Sequence, residues 1–504
     1  MQRKQLTLVI VSLLVVVLSV SLAYFTAQII GKGKDVSVTS TNLQIVFTDT
    51  DGEIAGADIE PGWQKTKTFT VQNNSKSEYK YNIVIKDLLN TFVTEGYLQY
   101  KITSTNGGYN MTEFKDIPKS SIATDTILAY SVVIPNGVTQ SYTIEFKYSN
   151  DESVDQSDDM GKKLSGTLFI TEGTEDPNKT LYNQLLVDKS TKLTRTDFGK
   201  VLTNDNTNTL YTSTEDSKTV YYFAGNATDN WVKFGKNASN QDLYWRIIRT
   251  NSDGGVRLLY HGTSTTATDA YIGTSAFNSS FDNIAYVSYM YGSLGSIANA
   301  RTNQTNPSTI KTTIDNWYIS NLEAKGYTKY LSTTAVYCND RTYTVSDYTY
   351  FGAYTRLRTN ETPSYDCATT EDKFTVDTST GNGKLTYPIA LMTADEVSFA
   401  GGVYLKNAET WYYYNSANGS STGSTLWWLL SPNGWYGSSA SVFIVFGSSL
   451  PGYLSNSGVN DTYGVRPAIS LKSCTLYSTG NGSASDPYTI KETDTGCWYE
   501  IVTN

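Results

Sequence analysis

The chain of 504 residues is long enough for two or three domains, and its net charge of −9 leaves no basic surface for phosphates. We therefore expect no nucleic-acid partner. Charged residues make up only 17% of the chain, whereas tyrosine supplies 39 residues and glycine 38, which is typical of strand-rich extracellular proteins. The single histidine, His261, excludes metal sites that need two imidazoles, and its strand-like surroundings favour a structural role.

Two basic residues, Arg3 and Lys4, precede an apolar run from Leu6 to Phe25. This order of charge and apolarity is the pattern of an export signal. The run has about 20 residues, which is enough to cross a bilayer. We predict that residues 1–30 form a transmembrane anchor and that the rest of the chain faces the outside of the cell. The alternative is a cleaved signal peptide and a secreted protein.

Residues 35–172 contain short segments in which apolar and polar residues alternate, such as 66–71, 79–85 and 141–146. Turn-forming residues, among them Pro135-Asn136-Gly137, separate these segments. Short strands without a long amphipathic helix predict a β-sandwich domain. We interpret this domain as a spacer.

Two features of this first third resemble the camelysin and biofilm-fibre-subunit family. They are the junction Ala23-Tyr24-Phe25-Thr26 after the export segment and the Pro61-Gly62 turn before a Thr/Val strand. The resemblance implies a spacer or fibre-like module. Camelysin has been described as a metalloprotease, but His261 lies outside this unit, so the sequence does not support a metal-bound hydrolase.

Two acidic clusters carry carboxylates that can hold Ca²⁺, one formed by Asp49, Asp51 and Glu53 and the other lying within residues 151–159. The EF-hand pattern with its closing glutamate is missing, so solvated acidic loops are the favoured interpretation and we expect no cofactor. A polar Gly/Pro segment, residues 173–179, then predicts a linker.

The four cysteines fall into two sequence-local pairs. We predict the disulfides Cys338–Cys367 and Cys474–Cys497, because the spacing matches no metal motif and an exported chain meets an oxidising environment. The alternative is four free, buried thiols.

Residues 180–504 alternate short strand patterns with few helices, which predicts an irregular α+β domain. One helix is expected around Thr180–Val187. A second is expected from Asn306 as cap and Pro307 as first residue to Gly326. A third follows the capping box of Thr393-Ala394-Asp395-Glu396.

Four ordered blocks in this second unit resemble a bacterial surface-domain family with a C-type-lectin-like fold. The blocks are residues 244–249, 391–396, 428–432 and 464–468. The fold is that of formylglycine-generating enzymes and of the variable proteins of diversity-generating retroelements. The resemblance covers residues 178–504 and implies a stable scaffold that displays a near-C-terminal segment. Whether a retroelement diversifies that segment is not visible in a protein sequence.

The chain departs from the catalytic members of these families. Formylglycine-generating enzymes use a reactive cysteine pair and copper, yet there is no cysteine between Cys367 and Cys474. The Glu-Pro-Asn and Gln-Pro-Asp motifs of calcium-dependent lectins are also missing. The resemblance therefore implies the fold without either chemistry.

The displayed segment, residues 427–467, interleaves large aromatic residues with Ser, Gly and Asn, which is the composition of many binding surfaces. Trp427, Trp428 and Arg466 frame it as expected scaffold. In the strand pattern of residues 440–446, we expect Ser441, Phe443 and Val445 to face outward. The alternatives are an ordinary Ser-rich hairpin or a strand buried on both faces. The predicted ligand-binding residues are Asn433, Trp435, Tyr436, Ser438, Ser441, Phe443, Val445, Tyr453, Ser455 and Asn456.

Together these features predict a membrane-anchored cell-surface protein that binds an extracellular protein or glycan. Catalysis is not expected, because acidic residues are sparse in the aromatic-rich C-terminal third, where a glycan cleft would be expected. Two alternatives of other classes stay open. One is a fibre or adhesin subunit that assembles through the first domain, and the other is a glycan-active enzyme.

Overall fold

The computed structural model describes residues 36–40, 43–49, 59–174, 176–267, 270–345, 348–408, 426–447 and 450–497. The chain is 39% strand and 14% helix, so the expected strand-rich α+β class is confirmed at this level. It divides into two compact units, Met1–Pro177 and Asn178–Asn504. No helix among the described residues is long and apolar enough to cross a membrane. The predicted anchor, residues 1–30, lies outside the described residues.

The first unit consists of two antiparallel sheets. A six-stranded sheet has the order β1-β2-β3-β8-β5-β6, and a three-stranded sheet has the order β7-β4-β9. The strands are β1 (Val36–Ser40), β2 (Leu43–Asp49), β3 (Gln64–Asn73), β4 (Tyr79–Asn90), β5 (Leu98–Thr103), β6 (Lys115–Asp116), β7 (Ser120–Ile134), β8 (Thr139–Tyr148) and β9 (Leu164–Glu172). This architecture agrees with the predicted β-sandwich.

Alternation places one face of each main strand in the core of this unit. In β8, Tyr142, Ile144 and Phe146 are buried, whereas the residues between them are partly or fully exposed. The same alternation in β3 buries Phe69 and Val71. The apolar side chains of the two sheets pack into one core cluster.

The second unit has its own core and many short strands. Its strands are β10 (Thr191–Thr194), β11 (Thr209–Glu215), β12 (Lys218–Tyr222), β13 (Trp231–Lys236), β14 (Asp242–Thr250), β15 (Val256–Gly262), β16 (Thr274–Ala276), β17 (Met290–Tyr291), β18 (Asn306–Pro307), β19 (Tyr337–Cys338), β20 (Tyr343–Val345), β21 (Thr349–Phe351), β22 (Lys373–Phe374), β23 (Ile389–Leu391), β24 (Trp427–Trp435), β25 (Ala440–Val445), β26 (Leu454–Gly458), β27 (Thr462–Gly464), β28 (Pro467–Leu471) and β29 (Tyr488–Thr489).

Two sheets dominate this unit. A nine-stranded sheet runs β10-β11-β12-β14-β15-β28-β23, with β13 pairing with β14 and β29. A seven-stranded sheet runs β16-β27-β24-β21-β20, and β25 lies between β24 and β26. Strand β24 therefore has neighbours from several distant parts of the chain, which brings those parts to the displayed segment.

The helices of this unit are α1 (Leu181–Asp188), α2 (Ile297–Arg301), α3 (Thr309–Tyr318), α4 (Gly352–Tyr354) and α5 (Ala394–Ala400). The capping box predicted before α5 is confirmed, because Thr393 and Glu396 bond each other's backbone N–H groups. The predicted cap of α3 is wrong. Ser308 caps that helix, and Asn306–Pro307 forms β18 by pairing with β17. Proline can enter a short edge strand because that strand needs few N–H donors.

Both predicted disulfides are present. Cys338 and Cys367 have Cα atoms 5.6 Å apart, and Cys474 and Cys497 have Cα atoms 4.9 Å apart. Two disulfides indicate an oxidising environment, such as the extracellular space or the periplasm.

Candidate functional site

The three residues expected to frame the displayed segment are buried. Trp427, Trp428 and Arg466 are each at most 1% exposed. Trp428 donates its indole N–H to the carbonyl of Ser275 at 2.9 Å. The Arg466 guanidinium lies 4.7 Å from the ring centre of Trp427 and donates to the carbonyl of Tyr260. These contacts fix both ends of the segment to the core of the second unit.

Strand β25 is buried on both faces, so the expected outward orientation of Phe443, Val445 and Ser441 is wrong. Phe443 is 0% exposed and Val445 is 1% exposed. The physical reason is that the Tyr404 ring covers this face, 5.7 Å from the Phe443 ring, while β24 and β26 pair with the two edges of β25. Asn433 is also buried. These four residues belong to the support of the surface rather than to the surface itself.

The other predicted binding residues reach solvent. Ser438 is exposed, and the remaining five are half-buried: Trp435, Tyr436, Tyr453, Ser455 and Asn456. Tyr453 packs its ring against Phe446, with 5.2 Å between ring centres. Tyr436 and Asn456 instead face a group of tyrosines from other parts of the chain.

Tyr436 and four other tyrosines form a continuous group of rings, which we call the tyrosine patch: Tyr348, Tyr350, Tyr354, Tyr404 and Tyr436. Tyr436 lies edge-to-face with Tyr348 and Tyr350, at 5.8 and 6.2 Å between ring centres. Tyr350 and Tyr354 stack at 4.1 Å with 13° between their planes. Tyr354 meets Tyr404 edge-to-face at 5.7 Å. Tyr348 is 50% exposed, and the other four are half-buried.

The strand register explains how these rings come together. Strand β21 pairs with the end of β24, so that Thr349 lies opposite Trp435 and Tyr350 lies opposite Gly434. A Cβ atom at Gly434 would lie 3.1 Å from the ring and hydroxyl of Tyr436. Glycine at this position therefore lets the Tyr436 ring lie close against the strand.

Two buried or half-buried amides hold two of the rings, and we call the four residues the Tyr/Asn network. The Tyr436 hydroxyl donates to Oδ1 of Asn433 at 3.0 Å and accepts from Nδ2 of Asn456 at 3.4 Å. The Tyr404 hydroxyl donates to Oδ1 of Asn456 at 3.0 Å. The Asn433 side chain also lies beside Tyr404. Nδ2 of Asn433 has no hydrogen-bond partner among the described residues. The network thus links the turn at residue 404 with β24 and β26.

The hydroxyl groups of the network stay protonated at neutral pH. Burial and the neighbouring Tyr436 and Tyr354 rings raise the pKa of Tyr404 to about 12. Burial also raises the pKa of Tyr436. Both hydroxyls are hydrogen-bond donors within the protein rather than bases. Both residues are half-buried, so part of each side chain reaches solvent.

Sequence analysis did not select Tyr348, Tyr350, Tyr354 or Tyr404. One signal was present: four tyrosines lie between residues 343 and 354, close to a Gly-Ala pair. Their contact with Tyr436 depends on a pairing between strands more than 80 residues apart, which no local pattern encodes.

The other polar clusters of the second unit are internally paired. Glu396 accepts from Arg249 at 2.9 Å and from Arg257 at 2.8 Å, and Arg356 pairs with Asp340 and Asp395. The cavity beside these ion pairs has about 10 Å³, room for one water molecule at most. His261 is buried with its ring 4.4 Å from that of Trp231, a packing position. We regard these groups as structural.

The acidic residues do not form a metal centre within the described parts of the chain. No group of three or more His, Cys, Asp or Glu side chains is arranged there to hold a metal ion. Asp151 and Asp155 each accept from the backbone N–H two residues later, and Asp159 accepts from Val93 and Tyr148. Asp51 and Glu53 lie outside the described residues.

The first unit carries an open groove of about 350 Å³ along β3, β5 and β8. We call it the threonine groove. Its lining is dominated by hydroxyl side chains without charge: Thr68, Thr70, Thr103, Ser104, Thr105, Ser141 and Thr143. The two aromatic residues of its lining, Phe69 and Tyr142, are buried in the core. The groove therefore offers no solvent-reaching tyrosine rings of the kind found in the tyrosine patch, and we place the candidate site at the patch.

No family model and no curated protein matches the chain. Among solved structures, a ruminal GH26 endo-β-1,4-mannanase is similar over 30% of this chain and 28% of that chain, with 13% identity and a TM-score of 0.15. A similarity of this size carries no argument about fold or function.

Proposed function

We propose that the chain is an exported, non-catalytic cell-surface protein that binds an extracellular ligand through the tyrosine patch. In this proposal the second unit is a C-type-lectin-like scaffold, the first unit is a spacer, and residues 1–30 anchor the chain to the membrane. The observation that carries the proposal is the convergence of five tyrosine rings at one surface, from three separate stretches of chain.

The chemistry of the patch supports binding. Tyrosine offers a large and rigid contact area at low entropic cost, which is why it is enriched in recognition surfaces. The Tyr/Asn network holds Tyr404 and Tyr436 in place before a ligand arrives, and such preorganisation reduces the entropy lost on binding. The two disulfides agree with an extracellular location.

The test is a binding screen of the full chain against immobilised glycans and peptides, with Tyr348→Ala and Tyr436→Ala as variants. We expect both variants to lose most of the binding that the wild type shows. Leu294→Ala is the matched control, because Leu294 is an exposed apolar residue outside the patch, at 44% exposure. Equal binding by all four proteins would place the site elsewhere on the molecule. The melting temperature of each variant separates lost contacts from lost folding.

A further inference from the structure

The charge beside the tyrosine patch points to the class of ligand, and this inference rests on the proposed binding function. Arg358 lies in the π-helical turn Thr355–Asn360 that directly continues α4, four residues after Tyr354, and it is exposed. Residues four apart in a helix lie on the same face, so Arg358 is a neighbour of Tyr354. Its guanidinium is close enough to Tyr354 and Tyr404 that its charge opposes the rise in their pKa values, which burial causes. A positive charge therefore lies at the edge of the patch.

Arg358 differs from every other arginine of the second unit. The eight others each donate to a carboxylate, a carbonyl or a side-chain amide within the protein: Arg195, Arg246, Arg249, Arg257, Arg301, Arg341, Arg356 and Arg466. Arg358 makes no hydrogen bond or ion pair with any described residue. A guanidinium carries five N–H donors in a planar fork that matches a carboxylate. The N–H donors of Arg358 are therefore available to a ligand.

Both amide oxygens of the Tyr/Asn network already accept hydrogen bonds. Oδ1 of Asn456 accepts from Tyr404, and Oδ1 of Asn433 accepts from Tyr436. The patch thus offers a ligand aromatic surface from its rings and hydrogen-bond donors from Arg358. Aromatic faces carry partial negative charge and attract C–H groups that are polarised by neighbouring oxygen atoms, such as those on a sugar ring.

We propose that the tyrosine patch and Arg358 together bind a carboxylated sugar, with the sugar ring against the rings beside Arg358, Tyr354 and Tyr404, and the carboxylate on Arg358. Uronic acids and nonulosonic acids both present this combination of a C–H face and a carboxylate. An acidic peptide shares the negative charge but lacks the C–H face, and the test below distinguishes the two ligand classes.

The test measures binding to the full chain by isothermal calorimetry with five probes: trigalacturonate, its methyl ester, sialyllactose, its methyl ester and a short oligoglutamate peptide. We expect at least one of the two carboxylated sugars to bind. Its methyl ester, which keeps the sugar ring and removes the charge, should bind about tenfold more weakly or worse, as the loss of a charge-assisted bond requires. The carboxylated sugar that binds more tightly than its uncharged counterpart identifies the ligand as a uronic acid or a nonulosonic acid.

Variants test whether Arg358 is the residue that binds the carboxylate. Arg358→Gln should weaken binding of the carboxylated sugar about tenfold and leave the affinity for its uncharged counterpart unchanged. Lys384→Gln is the control, because Lys384 is an exposed cation with no side-chain partner among the described residues, and it should change neither.

Equal binding of charged and uncharged sugars would overturn the assignment of the carboxylate to Arg358, and so would unchanged binding by the Arg358→Gln variant. The proposed binding function would still stand if Tyr348→Ala lost binding. Tighter binding of oligoglutamate would replace the sugar by an acidic peptide. If no probe binds the wild type, the inference is overturned, and the glycan and peptide screen decides the proposed function by itself.

Discussion

The Tyr404 hydroxyl donates to Oδ1 of Asn456 at 3.0 Å, across 52 residues of sequence. This bond joins the turn after α5 to strand β26, and Nδ2 of Asn456 carries the connection on to Tyr436. A surface residue of the displayed segment thereby depends on a residue outside it. The candidate site is therefore a composite of several stretches of chain.

Asn433 is the buried support of this network, so its removal should reduce stability. Asn433→Ala deletes the acceptor of the Tyr436 hydroxyl and leaves polar groups without a partner. We expect the free energy of unfolding to fall by about 1–3 kcal/mol, measured by urea denaturation. Ser438→Ala, at an exposed position of the same segment, should stay within about 0.5 kcal/mol of the wild type. Equal stability of both variants would show that the network is not a support.

Gly434 should be coupled energetically to Tyr436. In Gly434→Ala the new methyl group would lie 3.1 Å from the Tyr436 ring, and such overpacking costs about 1–3 kcal/mol. In a Tyr436→Ala background the same substitution should be nearly neutral, because the ring is gone. A double-mutant cycle on the free energies of unfolding measures the coupling. The same cost in both backgrounds would mean that Gly434 is needed for another reason.

Acid should destabilise the second unit through Glu396. Burial raises the pKa of this carboxyl, but the guanidinium groups of Arg257 and Arg249 outweigh burial, so its pKa lies below the ordinary glutamate value. The folded state then holds fewer protons than the unfolded state. This stabilisation is present in full above the ordinary value, about 4.3, and is lost as the pH falls through the folded-state pKa.

Substitution of Glu396 isolates this contribution. Glu396→Gln leaves two buried guanidinium groups without their shared anion and should cost about 3–5 kcal/mol at neutral pH. The variant should also lose part of the acid dependence below about pH 5, followed by urea denaturation across a pH series. Glu371→Gln, at an exposed carboxyl, should retain the wild-type profile. An unchanged acid profile in Glu396→Gln would assign the dependence to other carboxyls.

The disulfide Cys338–Cys367 should stabilise the second unit by restricting its unfolded chain. The bond spans 29 residues, for which the chain-entropy account gives about 3–4 kcal/mol. The Cys338→Ser/Cys367→Ser double variant should lose that amount in urea denaturation under oxidising conditions. A reducing agent opens both disulfides, so the wild type and the variant should then have the same stability when both are measured in it. A variant as stable as the oxidised wild type would show that folding does not depend on this closure.

Local patterns were enough for several elements of the fold. The alternation of β3 and β8 and the Thr393/Glu396 capping box are encoded within a few neighbouring residues, so sequence predicts them well. The orientation of Phe443 was not predicted correctly. Residues 442–445 are all apolar, and a short apolar run is compatible both with a half-exposed strand and with one buried on both faces.

The candidate site was predicted only in part for the same reason. Tyr436 and Asn456 lie in the segment that composition selects, whereas Tyr350 and Tyr404 reach it through tertiary pairing. Replacement of the whole segment would also remove the buried β25. Changes limited to solvent-reaching positions such as Trp435, Tyr436 and Ser438 should alter ligand preference with less loss of stability.

The most direct test of the central claim is hydroxyl-radical footprinting of the full chain with and without its tightest-binding glycan or peptide probe. We predict that bound ligand lowers the oxidation of Tyr348 and Tyr436, while Leu294 stays unchanged. If oxidation of the tyrosine patch is unaltered and protection is found at the threonine groove of the first unit, the patch is not the binding site.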